Sequence, residues 1–221
     1  MLESARRQGI EVEVIGAGML YENFWLSKCV RLWEAIGRYD QYEHVVFVDG
    51  IDTFFVAPLD ELHDGFRRYR HDFVIAGEHI CWPCSHLTDH PRFAEGGRYR
   101  FPCAGFWMAT WPAFLRTFAA LLAMPHTDRP LDDGQTIYNC DQARYQLGMA
   151  EGTLAIGIDT EQRLSQCLHR LDDRWTPENP DIDWTNPQRP RNRATGQQPC
   201  TIHLNGPDKR QLARLREVLF C

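Results

Sequence analysis

An apolar run that ends abruptly in two acidic residues is the feature that most constrains the fold of this chain. Residues 45–48 are Val-Val-Phe-Val, and Asp49 and Asp52 follow directly in a short turn that contains glycine. A continuous apolar run of this length is typical of a strand that is covered on both faces. The pattern predicts a sheet buried between layers, with two carboxylates at the end of one of its strands.

Strand-like and helix-like segments alternate along much of the chain. Helical spacing of apolar residues marks 26–36, 59–69, 112–123 and 141–147, and strand patterns mark 10–15, 45–48, 73–76, 104–109, 154–158 and 201–204. This alternation predicts an α/β fold in which helices flank a mainly parallel sheet. Residues 172–199 hold five prolines and are predicted to form a long loop within a single domain that spans residues 1–221.

The composition argues against several classes of protein. The 221 residues are 43% hydrophobic and 24% charged, which is typical of globular proteins. The formal net charge of -6 argues against a general nucleic-acid binder, since such proteins need a cationic surface. No apolar run is long enough to cross a bilayer and the start lacks a signal-peptide pattern, so a cytoplasmic location is expected. The eight cysteines are irregularly spaced and are expected to be mostly reduced.

The two acids after the apolar run are candidate metal ligands. Open α/β sheets bind ligands at the carboxyl ends of their strands, where Asp49 and Asp52 would lie. Magnesium and manganese ions take oxygen ligands and keep positions open for phosphate oxygens. An Asp-x-x-Asp turn by itself is more often a pair of capping or solvated acids, so it needs a second signal.

A polar turn after the strand at 201–204 supplies that second signal. It contains His203, Asn205, Gly206 and Lys209. A neutral imidazole can complete a metal shell, and a lysine is a point charge suited to phosphate. A histidine alone at a strand end is usually an ordinary hydrogen-bonded residue, but the nearby lysine and tight turn favour ligand binding.

Five short blocks carry a family resemblance when they are taken together. They are Val48-Asp49-Gly50-Ile51-Asp52 with Phe54-Phe55, Glu78-His79-Ile80-Cys81-Trp82-Pro83, Gly105-Phe106, Asp141-Gln142 and His203-x-Asn205-Gly206-Pro207-x-Lys209. Their order and spacing over roughly residues 5–215 resemble the N-terminal glycosyltransferase domain of procollagen lysyl hydroxylases. The combination is specific, although no single block is.

The resemblance implies a GT-A-like, Rossmann-like fold and a hexosyltransferase that moves a sugar from a UDP-sugar donor to a hydroxyl acceptor. It implies that Mn²⁺ (or Mg²⁺) is bound beside the diphosphate. The implied site residues are Asp49, Asp52 and His203 for the metal, Trp82, Asn205, Gly206 and Lys209 for the nucleotide, and Asp141 for catalysis.

The chain departs from the family pattern at three places. The acidic run near the donor sugar is reduced to Asp141, and Ile51 replaces the aromatic residue between the two metal aspartates. The chain also begins with a helix pattern at residues 2–8, so the first strand of the GT-A fold is expected to be missing or replaced by another segment. An acceptor hydroxyl is expected to enter beside Trp82, Trp107 and Asp141.

Three other interpretations stay open from the sequence. Cys81 and Cys84 have the spacing of a thioredoxin-like redox pair, although no helical pattern follows them. The same cysteines could bind zinc together with His86 and His90. The chain could also be a catalytically inactive protein that binds a nucleotide sugar or a partner. Asp159 is expected only to cap or orient a strand end.

Overall fold

In the computed structural model, helices and strands alternate along most of the chain. The described residues are 1–36, 39, 42–125, 127, 129–132, 134, 136–168, 181–205 and 212–220. The helices are α1 (Leu2–Arg7), a π-helix (Trp25–Val30), α2 (Arg31–Ile36), α3 (Leu59–Phe66), a 3-10 turn (Ser85–Leu87), α4 (Pro91–Ala94), α5 (Trp111–Ala123), a 3-10 turn (Ile137–Asn139), α6 (Asp141–Ala150) and α7 (Leu212–Phe220). The strands are β1 (His44–Val48), β2 (Thr53–Phe55), β3 (Phe73–Glu78), β4 (Phe101–Thr110), β5 (Gly157–Asp159), β6 (Ser165–Cys167), β7 (Ile182–Asp183), β8 (Arg191–Asn192) and β9 (Thr201–His203). Among the residues described above, no helix is long and apolar enough to span a bilayer.

The largest sheet among the described strands is mixed, so the predicted mainly parallel sheet is not confirmed. Its order is β1-β4-β3-β5, in which β4 runs antiparallel to both β1 and β3, and β5 runs parallel to β3. A parallel neighbour requires a crossover connection, which is usually a helix that packs on the sheet. The chain between β3 and β4 carries only a 3-10 turn and the four-residue α4, and it returns along β3 in the antiparallel direction.

A second sheet, in the order β2-β9-β6, brings distant parts of the chain together. In its antiparallel ladder Thr53 of β2 lies opposite His203 of β9, and in its parallel ladder Cys167 of β6 lies opposite the same histidine. Just beyond the ladder, the main-chain N–H of Leu204 donates a hydrogen bond to the main-chain oxygen of Asp52 at 2.9 Å. The sheet therefore fixes Asp52 beside His203.

An aromatic cluster packs the main sheet against α5. The ring of Trp107 in β4 stacks with Phe47 of β1, Phe73 of β3 and Phe114 of α5, with ring centroids 5.4, 5.0 and 5.7 Å apart. Full burial of a phenylalanine ring, as at Phe73 and Phe114, stabilises the fold by roughly 1.5–3 kcal/mol. Trp107 is only 1% exposed, so the expectation that an acceptor enters beside it is wrong. The cluster instead holds the β1–β4 pair that presents Asp49.

The predicted strand at residues 10–15 does not form. Val14 and Ile15 are exposed, and none of the described strands pairs with this segment. Alternating side chains form a strand only where a second strand can complete the ladder and cover the apolar face. The helix pattern before it is confirmed as α1, which lies against β2 and whose Ser4 hydroxyl accepts a hydrogen bond from the main-chain N–H of Phe55 at 3.0 Å.

Part of the predicted loop at 172–199 contains a short antiparallel ladder of β7 and β8. Asn192 of β8 is buried. Its side-chain amide donates to the Tyr99 hydroxyl at 2.8 Å and to the side-chain oxygen Oε1 of Gln166 at 2.7 Å. Trp184, after β7, is also buried. Residues 172–180 lie outside the described residues, whereas 181–199 are anchored to the body of the protein.

Candidate functional site

The structure brings Asp49, Asp52 and His203 to one point at the end of β1. One oxygen from each carboxylate and one ring nitrogen all lie within 4.8 Å of one another. The Nε2 atom of His203 lies 3.4 Å from Asp52 Oδ2 and 3.7 Å from Asp49 Oδ2. Three such groups can hold a divalent cation between them. The sequence grouped these residues, and their role as metal ligands stays a prediction.

Two ladders position the three side chains. Asp49 follows β1, and its main-chain N–H donates to the main-chain oxygen of Gly105 in β4 at 2.9 Å. Asp52 precedes β2, which pairs with β9 and so with His203. Because regular backbone holds both flanks of the turn, the carboxylates point to one place without a ligand to gather them.

Gly105 allows the imidazole to approach the main sheet. A Cβ atom at this position would lie 2.0 Å from Cε1 of His203, which is far inside van der Waals contact. The ring is buried, so it could not swing away without disturbing its neighbours. Glycine is therefore required for the histidine to sit between the two sheets, a constraint that the Gly105-Phe106 block did not reveal by itself.

Both edges of the His203 ring contact polar atoms. Nε2 faces the carboxylates, and Nδ1 lies 3.7 Å from the Sγ atom of Cys103. Burial alone would lower the pKa of His203, but hydrogen bonds with Asp52 and Cys103 outweigh burial and raise the pKa to about 10. The metal-free imidazole is therefore protonated at neutral pH and must lose a proton before Nε2 can bind a metal.

Lys28 links the metal candidates to Asp141. Its Nζ atom lies 2.9 Å from Asp49 Oδ1 and 3.1 Å from Asp141 Oδ2. Burial alone would lower the pKa of Lys28, but the two carboxylates outweigh burial and hold the pKa well above its usual value. The sequence pattern places Lys28 only within the helix predicted at residues 26–36. The π-helix that carries it is a form often found at functional sites, yet nothing in the residue pattern predicts it.

Asp141, the predicted catalytic residue, is buried at the start of α6. Its Oδ1 atom accepts a hydrogen bond from the main-chain N–H of Gln142 at 2.9 Å, while Oδ2 faces Lys28. Burial raises the pKa of Asp141, and the lysine ammonium only partly offsets that rise. The structure thus places Asp141 beside the site, joined to Asp49 through one shared cation.

A buried network built on Glu78 connects Trp82 to Asn205. The side-chain amide of Gln142 donates to Glu78 Oε1 and to the main-chain oxygen of Trp82, both at 2.6 Å. The side-chain amide of Asn205 donates to Glu78 Oε2 at 2.9 Å. Burial raises the pKa of Glu78 well above its usual value, although both amide donors oppose that rise.

This network changes how the predicted nucleotide residues are understood. The Asn205 amide nitrogen points inward to Glu78, so its contribution includes fixing the chain at Asn205 itself, two residues after β9. Trp82 is partly buried, and its main chain is tied to α6 through Gln142 and Gln146. Gly206 and Lys209 lie outside the described residues. Glu78 and Gln142 were not predicted as site residues, although both belong to blocks that carried the resemblance.

The geometry does not favour a redox or zinc role for the Cys81–Cys84 pair. Burial raises the pKa of Cys81 to about 11, whereas a redox nucleophile needs a lowered pKa. Only a 3-10 turn follows Cys84. Among the described residues, the clusters that could hold a metal are Asp49, Asp52 and His203, and Cys103, Cys167 and His203. The proposed zinc ligands Cys81, Cys84, His86 and His90 do not form one.

Comparison with known proteins agrees with the position of these blocks. A family model described as the PLOD GT domain matches residues 1–219, which is nearly the whole chain. Asp49, Asp52, Asp141 and His203 all lie inside the matched region. No match is found among curated proteins.

Proposed function

This chain belongs to the glycosyltransferase-domain family of the procollagen lysyl hydroxylases, and from that premise we propose that it is a metal-dependent hexosyltransferase. It transfers a sugar from a UDP-sugar donor to a hydroxyl acceptor. The observation that carries the proposal is the convergence of Asp49, Asp52 and His203 from two different sheets on one point.

The donor set fits a manganese or magnesium ion. Two carboxylate oxygens and one imidazole nitrogen suit Mn²⁺ well, and the two carboxylates balance its charge. Asp52 and His203 are buried, but the Asp49 side chain is 26% exposed. Ligand positions on the exposed side would then remain open for the oxygens of a diphosphate.

The bound cation would act as a Lewis acid that stabilises the charge on the departing UDP. Lys28 holds Asp49 in place through the contact between Nζ and Oδ1, and its charge adds to the positive potential at the same point. Glu78 and Gln142 hold Asn205 and the main chain of Trp82 in place, and both residues are proposed to contact the donor. Lys209 is proposed to supply a further cation near the diphosphate.

Asp141 is proposed to act near the donor sugar. Because its pKa is raised, Asp141 stays protonated up to a higher pH than an exposed aspartate does. Its Oδ2 atom is occupied by the contact with Lys28. We assign it the role of orienting Lys28 beside the donor sugar, since its two oxygens are engaged by Lys28 and by the main-chain N–H of Gln142.

A donor-hydrolysis screen tests the proposal directly. Several UDP-sugars are incubated with the full chain, with and without Mn²⁺, and release of UDP is measured for wild type and for Asp52→Asn. We expect release from at least one donor that requires both the metal and Asp52. Metal-independent release that survives Asp52→Asn would refute the proposed mechanism. Binding of UDP with Mn²⁺ but no turnover of any donor or acceptor would instead identify a catalytically inactive nucleotide-sugar-binding protein.

A further inference from the structure

A second cluster of metal-ligating groups lies on the other edge of the His203 ring. The Sγ atoms of Cys103 and Cys167 and a ring nitrogen of His203 all lie within 4.8 Å of one another. The Cys103 sulfur is 3.7 Å from Nδ1, the nitrogen that faces away from Asp52. All three residues are buried, and neither thiol has a part in the proposed transfer reaction.

Regular strands hold all three side chains. Cys103 lies in β4 of the main sheet, Cys167 in β6 and His203 in β9, and the last two are direct partners in a parallel ladder. No loop has to close for the ligands to meet. A site built on strands in this way is already organised before a ligand enters.

The chemistry of this cluster differs from that of the carboxylate site. Thiolate sulfur selects zinc, cadmium and similar thiophilic cations, whereas manganese and magnesium prefer oxygen. Two thiolates and a neutral imidazole around a divalent cation carry no net charge. That balance matters here because an unpaired charge is costly at a fully buried position.

We propose that Cys103, Cys167 and Nδ1 of His203 form a buried binding site for a thiophilic divalent cation such as zinc or cadmium. Binding replaces two S–H bonds and the Nδ1–H bond of the protonated imidazole with three bonds to the metal, and the three protons are released to solvent. The three protein ligands leave a fourth tetrahedral position for water.

The two edges of one imidazole ring then compete. A neutral imidazole has one nitrogen with a free lone pair, and the other nitrogen carries the proton. When Nδ1 binds a thiophilic cation, Nε2 carries the proton and cannot bind manganese at the Asp49–Asp52 site. Zinc or cadmium therefore inhibits manganese binding without contacting either aspartate. This antagonism, unlike the cation site itself, rests on the proposed function.

Cadmium titration of the reduced full chain tests the cation site. Ultraviolet absorption from sulfur-to-cadmium charge transfer is expected to saturate with one tightly bound ion in wild type. The absorption should be lost in Cys103→Ser and in Cys167→Ser. It should persist in the double variant Cys81→Ser, Cys84→Ser, which removes another buried pair. Absorption that survives both single variants, or that disappears in the double variant, would overturn the assignment.

A measurement on the unmodified chain guards against variants that fail to fold. Cadmium-113 NMR of the wild-type protein should show one resonance in the range of mixed sulfur and nitrogen ligation. A resonance in the range of oxygen ligation would place cadmium at the carboxylate site and would contradict the proposal.

Manganese binding, followed by electron paramagnetic resonance, tests the competition. One equivalent of cadmium should weaken manganese binding by at least about tenfold in wild type and leave it unchanged in Cys167→Ser. Simultaneous binding without mutual effect would refute the competition. If manganese fails to bind even without cadmium, the proposed function fails while the cadmium results still decide the cation site. Cadmium that does not bind, while manganese does, would refute this inference alone.

Discussion

Carboxylates lie at the ends of β1 and β5 in this protein, and their surroundings differ. At the end of β5, Asp159 accepts hydrogen bonds from the Tyr69 hydroxyl and from the main-chain N–H groups of Arg163, Leu164 and Ser165, the last three at 2.8–2.9 Å. At the end of β1, the neighbours of Asp49 include the cationic side chains of Lys28 and His203. The first carboxylate is enclosed by fixed donors, whereas the second is held by groups that carry charge.

That difference separates a structural carboxylate from a ligand-binding one. The donors around Asp159 close a tight turn that leads into β6, and no cation could replace four N–H or O–H groups there. The protonated imidazole beside Asp49 and Asp52 can lose its proton and become a ligand together with them. Burial alone does not distinguish the two sites, because it raises the pKa of Asp159 as it does that of Asp141. The identity of the partners does.

The largest expected effect is on turnover when a metal candidate is changed. Asp52→Asn should lower UDP-sugar turnover by more than about a hundredfold, because losing one ligand removes leaving-group stabilisation of several kcal/mol. Steady-state rates in saturating Mn²⁺ measure the effect, with the exposed Asp60→Asn as the matched control. Unchanged turnover in Asp52→Asn would indicate that this carboxylate, like that of Asp159, only stabilises the fold.

The second effect is on stability. Asp159→Ala should lower the free energy of unfolding by roughly 3 kcal/mol, because it leaves buried main-chain N–H groups without an acceptor. Urea denaturation monitored by fluorescence measures the change. The folded fraction should still bind Mn²⁺ like wild type. If Asp159→Ala has normal stability but cannot bind Mn²⁺, Asp159 is a metal ligand and not a structural carboxylate.

A smaller effect is expected from moving the imidazole without removing a ligand. In Gly105→Ala the new methyl group would overlap His203, so the ring must shift and manganese affinity should fall by about tenfold. Gly50→Ala is the matched control, since its added Cβ would meet only the end of Met1 at 4.0 Å. Calorimetric titration with Mn²⁺ compares the two. Equal affinities would show that the position of His203 does not matter for the metal.

The smallest effect is expected at the Cys-x-x-Cys pair. Replacing Cys81 and Cys84 together with serine should leave turnover within about threefold of wild type, since neither thiol belongs to a cluster of candidate metal ligands among the described residues. Thermal unfolding of the same preparation checks that the variant is folded. A folded double variant without activity would favour the redox or zinc interpretation.

The sequence predicted the proximity of Asp49, Asp52 and His203 better than it predicted the direction of the strands. Asp49, Asp52 and His203 could be grouped because each follows or ends an apolar strand and because their blocks match a family in order and spacing. Strand direction leaves no such trace: the apolar pattern of β4 is the same whether it runs parallel or antiparallel to β3. The alternation at 10–15 likewise describes a possible apolar face, but it cannot show whether a partner strand is available.

Lys28 and Glu78 could not be predicted from spacing because their roles depend on tertiary neighbours. Lys28 reaches Asp49 and Asp141 only because the π-helix that carries it packs against α6. Glu78 ends an apolar strand like Asp49, yet it is enclosed by the amides of Gln142 and Asn205. Only the structure distinguishes a carboxylate that faces a cation from one that organises side-chain amides.

The most direct test of the central claim is the thermal stability of the wild-type chain with UDP and Mn²⁺, added separately and together. A ligand at a hundredfold excess over its dissociation constant stabilises the folded state by about 2.7 kcal/mol, which corresponds to a rise in melting temperature of roughly 5–10 °C for a chain of this size. If Asp49, Asp52 and His203 bind a metal that in turn binds the diphosphate, the full rise should require both additions, and UDP alone should give a much smaller one. An equal rise with UDP alone, in the presence of a chelator, would contradict the metal site.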